Sequence, residues 1–244
     1  MSNEDDNRNR DGAIMRPGND RWGECPMLRN PSRLTRWTVA LTCLWLLGSL
    51  GQTTLYLWRI SALNNAAVAS ETAKWVIAEQ GSTLNLFALL TLFYHLVFFR
   101  WIYVVNRNAQ QWNSAMTISP GWNVGWFFVP VAALWKPFEG IRETRGVTID
   151  PEAPAWVSVP IWLRLWWGLW IAAAIYGNMT VLFLAASETS SQWISISGVN
   201  VSRIAVDVPL AVLTCRLLTD ISALQSQRIA AEERAVMAGG TTPG

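Results

Sequence analysis

The stretch SPGWNVGWFFVPVAALWKPFEGIRE, residues 119–143, decides how the chain is threaded. From Gly121 to Trp135 it carries no charge, yet fifteen residues of helix reach only about 22 Å. That is short of the roughly 30 Å hydrocarbon core of a bilayer. Pro130 removes a backbone donor in the middle of the run, which bends or ends a helix there. Ser119 suits an N-cap, and Pro120 suits the first helical position, where a missing N–H costs nothing. Pro137 can open a second short helix, PFEGIRETR, with Phe138 and Ile141 toward lipid and Arg142 and Arg145 toward headgroups. Residues 119–146 are therefore expected to form a helical wedge that dips in and returns, or lies in the interface.

Outward from this stretch lie four longer apolar runs, at about 37–58, 84–105, 161–186 and 204–221. Each is near the length of a membrane span. With 51% hydrophobic and 15% charged residues, the chain is expected to be an all-α, multi-pass membrane protein of four transmembrane helices plus the wedge. The runs are continuously apolar and not alternating, which excludes a β-barrel. Residues 1–35 form a polar tail with no apolar core before a cleavage site, so no cleaved signal peptide is expected. Residues 223–244 form a second tail, helical at first. A net charge of +2 offers nucleic acid no basic groove. Cys25, Cys43 and Cys215 have neither CxxC nor metal spacing, so no disulfide, zinc or other cofactor is expected.

Lys and Arg mark the cytoplasmic side. Arg8, Arg10, Arg16, Arg21, Arg29, Arg33 and Arg36 precede the first run. Arg107, Lys136, Arg142, Arg145 and Arg164 lie between the second and third. Arg228 and Arg234 follow the fourth. The opposite connections hold only Arg59 and Lys74, then Arg203 at the mouth of the fourth run. Both ends are thus expected in the cytoplasm, in a bacterial inner membrane. A crossing by Gly121–Trp135 would put Lys136, Arg142, Arg145 and Arg164 outside. The tryptophans agree: Trp37, Trp101, Trp112, Trp156, Trp162, Trp166 and Trp167 fall near one interface, and Trp58, Trp75 and Trp193 near the other.

The segments FFRWIYVVNRNA (residues 98–109), the wedge, and RLWWGLWI (residues 164–171) carry a family resemblance. Over roughly residues 37–230 the chain resembles the bacterial membrane family known as domain of unknown function 4328. That family usually has Asn before the LWKP element, where this chain has Ala133. The resemblance implies a multi-pass bacterial membrane domain and brings no activity with it.

Ionisable and polar groups inside the runs are the candidates for chemistry. His95 lies mid-span with Thr91 one turn before it and Asn85 further along; together they suggest a proton relay, a polar ligand site, or a neutral imidazole bonded across helices. Asp207 is expected to pair with Arg203, and Arg216 with Asp220, each at i,i+4. Gly121 with Gly125, Gly168 with Ala172 and Ala173 with Gly177 have small-xxx-small spacing, which favours close helix packing. Asn85 and Asn178 are expected to bond between helices. Glu139 and Glu143 read as a solvated face with local ion pairs. No nucleophile elbow, HExxH, phosphate loop or Cys/His cluster is present, so no enzyme is expected.

The leading expectation is a non-enzymatic membrane module that binds a partner protein or lipid through its cytoplasmic face. Arg100, Arg107, Asn108, Trp122, Trp126, Lys136, Arg142 and Arg145 would form that surface. A small oligomeric transporter or channel with a polar cavity around His95 is the alternative, and an intramembrane enzyme comes third. The expected partners are the lipid bilayer, a membrane or cytoplasmic protein and a second copy of the chain, but not nucleic acid.

Overall fold

The computed structural model describes residues 28–64, 71–185 and 190–239, with the side chains of 62–82, 181, 183–194, 236 and 239 left aside. Most of the polar N-terminal tail, Cys25, Lys74, Trp75 and Trp193 thus lie outside the described residues or side chains. Among the described residues, every regular element is helical: α1 (Ser32–Asn64), α2 (Glu71–Trp112), α3 (Pro120–Gly125), α4 (Lys136–Ile149), α5 (Ile161–Ala185), α6 (Ser190–Ser202) and α7 (Ile204–Gly239). Two of them contain segments long and apolar enough to cross a membrane, Ser32–Ser61 in α1 and Thr83–Trp112 in α2.

Side-chain bonds fix the directions. The Trp101 indole donates to Thr35 Oγ1 at 2.9 Å, and Gln52 Nε2 donates to the Thr83 carbonyl at 3.0 Å, so α2 runs antiparallel to α1. Ser32 meets Ser226 at 3.1 Å, and Ser49 Oγ donates to Asp207 at 2.5 Å, so α7 also runs antiparallel to α1. The Trp166 indole donates to Thr214 at 3.1 Å and joins α5 to α7. The end holding Ser32 and Ser226 is termed basal, the other distal. Phe98, Trp101, Trp166, Leu217 and Ile221 fill the centre. The chain between α5 and α7 is not an open loop: α6 descends into α7 with a single interruption at Arg203. Likewise α7 extends through the tail region to Gly239.

The outer faces of α1 and α2 are apolar, and the inner face of α1 is rich in polar side chains. On α1 the buried stripe is Thr35, Thr38, Thr42, Trp45, Ser49, Tyr56 and Arg59, while Leu44, Leu47, Leu50 and Leu57 are exposed. On α2, Leu86, Leu89, Leu92, Phe93 and Leu96 face outward while Asn106 and Asn108 are buried. A water-soluble bundle places its apolar stripe inward and keeps its outer face polar; here Phe98, Trp101 and Ile102 of α2 are buried and the outer leucines are apolar as well.

The wedge starts as its sequence suggests: Ser119 Oγ accepts the Trp122 N–H at 3.4 Å, with Pro120 opening α3. The helix ends at Gly125, before Pro130, and passes through 3₁₀ turns at Trp126–Phe128 and Ala132–Leu134. It then returns to the basal end. Asn123 on the way in abuts Gly140 on the way out, so tightly that a Cβ at Gly140 would stand 2.1 Å from Asn123 Oδ1.

Several expectations need correction. The helix after Lys136 is not an interfacial amphipath. Ile141 is 2% exposed, and Thr144, Val147 and Thr148 are buried too, because α4 packs against α2 and α7. Phe138 stacks on Trp167 at 6.3 Å. Asp220 pairs with Arg145 at 2.8 Å and not with Arg216, whose guanidinium lies 5.0 Å from the Trp162 ring. The small-xxx-small glycines do not seat helices: a Cβ at Gly121, Gly168 or Gly177 would meet nothing within 4 Å, and at Gly125 only its neighbour Trp122. The close approaches occur at Gly48 against Phe87, at Gly140 against Asn123 and at Gly146 against Pro154. Asn178 Nδ2 donates to the Ala174 carbonyl in its own helix at 2.8 Å, and among the described residues it makes no bond to another helix.

Candidate functional site: a lateral groove above the wedge

Phe127 at the wedge tip lies 5.1 Å from Phe99 on α2 and 5.0 Å from Trp170 on α5, ring to ring. Phe128 meets Phe99 at 5.4 Å, and the Trp167 indole fixes the returning strand by donating to the Leu134 carbonyl at 2.9 Å. The wedge thus stands between α2 and α5 and forms a floor. Above it opens a groove of about 880 Å³, within the size range of small-molecule sites.

One stripe of α2 forms a wall of the groove: Asn85, Ala88, Thr91, Leu92, His95, Leu96 and Phe99. From Asn85 to Phe99 this stripe rises about 21 Å. The lower part is aromatic and aliphatic. The distal part is polar, lined by Gln52, Thr53, Tyr56, Thr180, Asn200 and Arg203. The groove therefore has an apolar trough and a polar head.

The structure brings Asn85, Thr91 and His95 to this one cavity. His95 Nδ1 lies 2.7 Å from the Thr91 carbonyl. A carbonyl only accepts, so Nδ1 carries a proton, and in the neutral ring Nε2 is the acceptor. Its bond is therefore within α2, not across helices. Asn85 is exposed and lines the groove, making no bond to another helix among the described residues. Asp207 stands behind the groove, 1% exposed, with Arg203 Nε at 3.3 Å and Ser49 Oγ at 2.5 Å. Its i,i+4 partner is the one expected.

The residues expected to form a basic docking face are divided. Arg107 and Arg142 are exposed, and Arg100 is exposed beside the Tyr103 ring at 5.5 Å. The Trp122 and Trp126 rings lie 4.7 Å apart, tilted by 32°, with Trp122 turned outward. Lys136 pairs with Glu139 at 2.6 Å, and Arg145 with Asp220. Asn108 is not on a surface at all. It is 1% exposed and bonds the Arg29 backbone and Gln225. Glu143 accepts the Thr117 and Ile118 N–H groups, at 2.7 and 3.3 Å, and so ties the entrance of the wedge to α4.

Sequence reading missed Ser49, Gln52, Tyr56, Asn200 and Thr180 as members of the site. A signal was present: Thr35, Thr38, Thr42, Ser49, Gln52, Tyr56 and Arg59 recur every three to seven residues through an apolar run, a polar stripe on one helical face.

Among the described residues no group of three or more His, Cys, Asp or Glu residues is placed to hold a metal ion. Comparison with curated proteins and with solved structures finds no match. A family model, Domain of unknown function (DUF4328), matches residues 62–223, which include α2, the wedge, α4, α5, α6 and α7 as far as residue 223. The chain therefore belongs to the DUF4328 family.

Proposed function

We propose that this protein is a non-enzymatic integral membrane module that binds a lipid-like molecule in the lateral groove above its wedge. The reading takes α1, α2, α5 and the α6–α7 leg as four membrane passes, with the basal end and both termini in the cytoplasm of a bacterium. The apolar outer faces support it. Outward leucines, inward threonines and asparagines fit a hydrocarbon surround, where polar groups must find partners inside the protein. The outward apolar residues of α5, from Ile161 to Leu182, extend over about 31 Å, the thickness of the bilayer core. In this threading the wedge enters and leaves by the cytoplasmic face, so Lys136, Arg142 and Arg145 stay inside.

The observation that carries the binding reading is the groove itself, apolar below and polar at its head. A basal docking surface has less support, because Lys136 and Arg145 already have carboxylates. The test is photolabelling in membranes with a hexadecanol bearing a mid-chain diazirine. Label is expected in peptides covering residues 84–99, 122–135 and 170–180, and Ala88→Trp, which fills the trough, should reduce it several-fold. Label spread evenly over the outward leucines of α1 and α2, unaffected by Ala88→Trp, would overturn the reading. A transport role is the second reading, favoured by His95 sharing the groove with the wedge. Proteoliposome flux lost on His95→Ala would place it first.

A further inference from the structure

The polar head of the groove is more than a decorated rim, because two of its donors have no acceptor. Arg203 uses only Nε, toward Asp207 at 3.3 Å; its two terminal amino groups have no hydrogen-bond partner among the described residues. Tyr56 is 8% exposed, and its hydroxyl likewise has no partner among the described residues. Both side chains line the groove, and they are within electrostatic reach of each other. Asp207 is held from behind by Ser49, which fixes the Nε edge of the guanidinium and leaves its other edge to the cavity. Donors without acceptors inside a membrane protein are costly, and a guanidinium edge with two parallel N–H groups matches a carboxylate or phosphate.

We infer that the distal end of the groove is an anion seat, in which Arg203 and Tyr56 take the carboxylate or phosphate head of a membrane amphiphile. Its chain lies along α2 past Leu92, Leu96 and Phe99 to the floor at Phe127. This rests on the groove reading and adds the class of its occupant. The ligand enters sideways from the distal leaflet. The apolar trough excludes a free inorganic anion as the preferred occupant, since such an ion gains nothing from those walls.

The test is competition against the photoactivatable hexadecanol in nanodiscs of zwitterionic lipid. Hexadecyl phosphate is expected to displace the probe at about tenfold lower concentration than unlabelled hexadecanol, the effect of one charge-assisted pair. Inorganic phosphate should not displace it. The double variant Arg203→Gln with Asp207→Asn, which removes both charges together, should erase the advantage of the phosphate while leaving hexadecanol unchanged. Tyr56→Phe, which disturbs no bond of the fold, should reduce that advantage by a few-fold. Equal competition by hexadecanol and hexadecyl phosphate in the wild type, or an advantage untouched by both variants, overturns the seat and leaves the groove reading intact. Competition by inorganic phosphate alone, as strong as by hexadecyl phosphate, overturns the amphiphile. Absence of label from groove peptides overturns the groove reading itself, and the seat with it.

Discussion

The two ends of the bundle bury similar polar side chains and treat them differently. At the basal end Gln225, with no exposure, donates to the Val105 carbonyl at 2.8 Å and to Thr148 at 3.3 Å, and accepts Asn108 Nδ2 at 2.9 Å. Asn108 in turn exchanges bonds with both backbone groups of Arg29, and Asn106 donates to Thr144 at 3.0 Å. These amides join α2, α4, α7 and the chain ahead of α1. At the distal end Tyr56 is buried and Arg203 is a quarter exposed, and both line a cavity. Residue type does not separate the two ends; at Gln225 and Asn108 every amide donor and acceptor is engaged, whereas Arg203 and Tyr56 keep donors without an acceptor among the described residues.

The largest expected effect on stability follows from the basal end. Gln225→Ala removes three bonds and leaves Asn108, Thr148 and the Val105 carbonyl to find others in a closed space. The cost is about 2–4 kcal/mol, read as a fall in Tm of roughly 5–10 °C for the protein in nanodiscs. An unchanged Tm would mean that the amide network follows the packing and does not hold it.

Partnering at this end is not complete everywhere: Asn106 Oδ1, Gln111 Nε2 and Trp112 Nε1 are buried without a hydrogen-bond partner among the described residues, and Asn123 is the extreme case. It is wholly buried, neither of its side-chain polar atoms has a hydrogen-bond partner among the described residues, and it sits against Gly140. Gly140→Ala is therefore expected to push Asn123 and the root of the wedge aside at a cost of ~1–3 kcal/mol. Adding Asn123→Ala should restore most of that stability, because the atoms in collision are removed and no bond is lost. A double variant no more stable than Gly140→Ala alone would show that the glycine serves backbone contact with α3 and not the amide.

Much of this was legible beforehand for local reasons. The Ser119 cap and Pro120, the early end of the wedge helix, the two apolar membrane-length helices in α1 and α2 and the Arg203–Asp207 pair all depend on neighbours in sequence. What failed depended on which helix lies opposite. Arg145 reaches Asp220 because α4 packs against α7, a contact that no spacing announces. The same packing buries Ile141, whose place on an amphipathic turn suggested lipid. Asn108 looked like a headgroup ligand because it follows Arg107, but one step of about 100° around the helix turns it from the surface into the core. The groove was half legible: His95, Thr91 and Asn85 marked one wall, whereas its opposite wall needed the register of α1 with α7.

The smallest expected effect on stability is the most discriminating. Tyr56→Phe deletes a hydroxyl that bonds nothing in the fold, while keeping the ring where α1 packs. A residue of the basal kind would cost well over 1 kcal/mol on losing its polar atoms; this one should change stability by no more than about 0.5 kcal/mol. Thermal unfolding of Tyr56→Phe beside Gln225→Ala, in the same nanodiscs without added amphiphile, makes the contrast direct. A Tm unchanged within error, combined with weaker retention of hexadecyl phosphate, is what a ligand-facing hydroxyl requires. A fall approaching that of Gln225→Ala would mean that the distal polar groups weld the fold as the basal ones do, and the difference between the two ends would disappear.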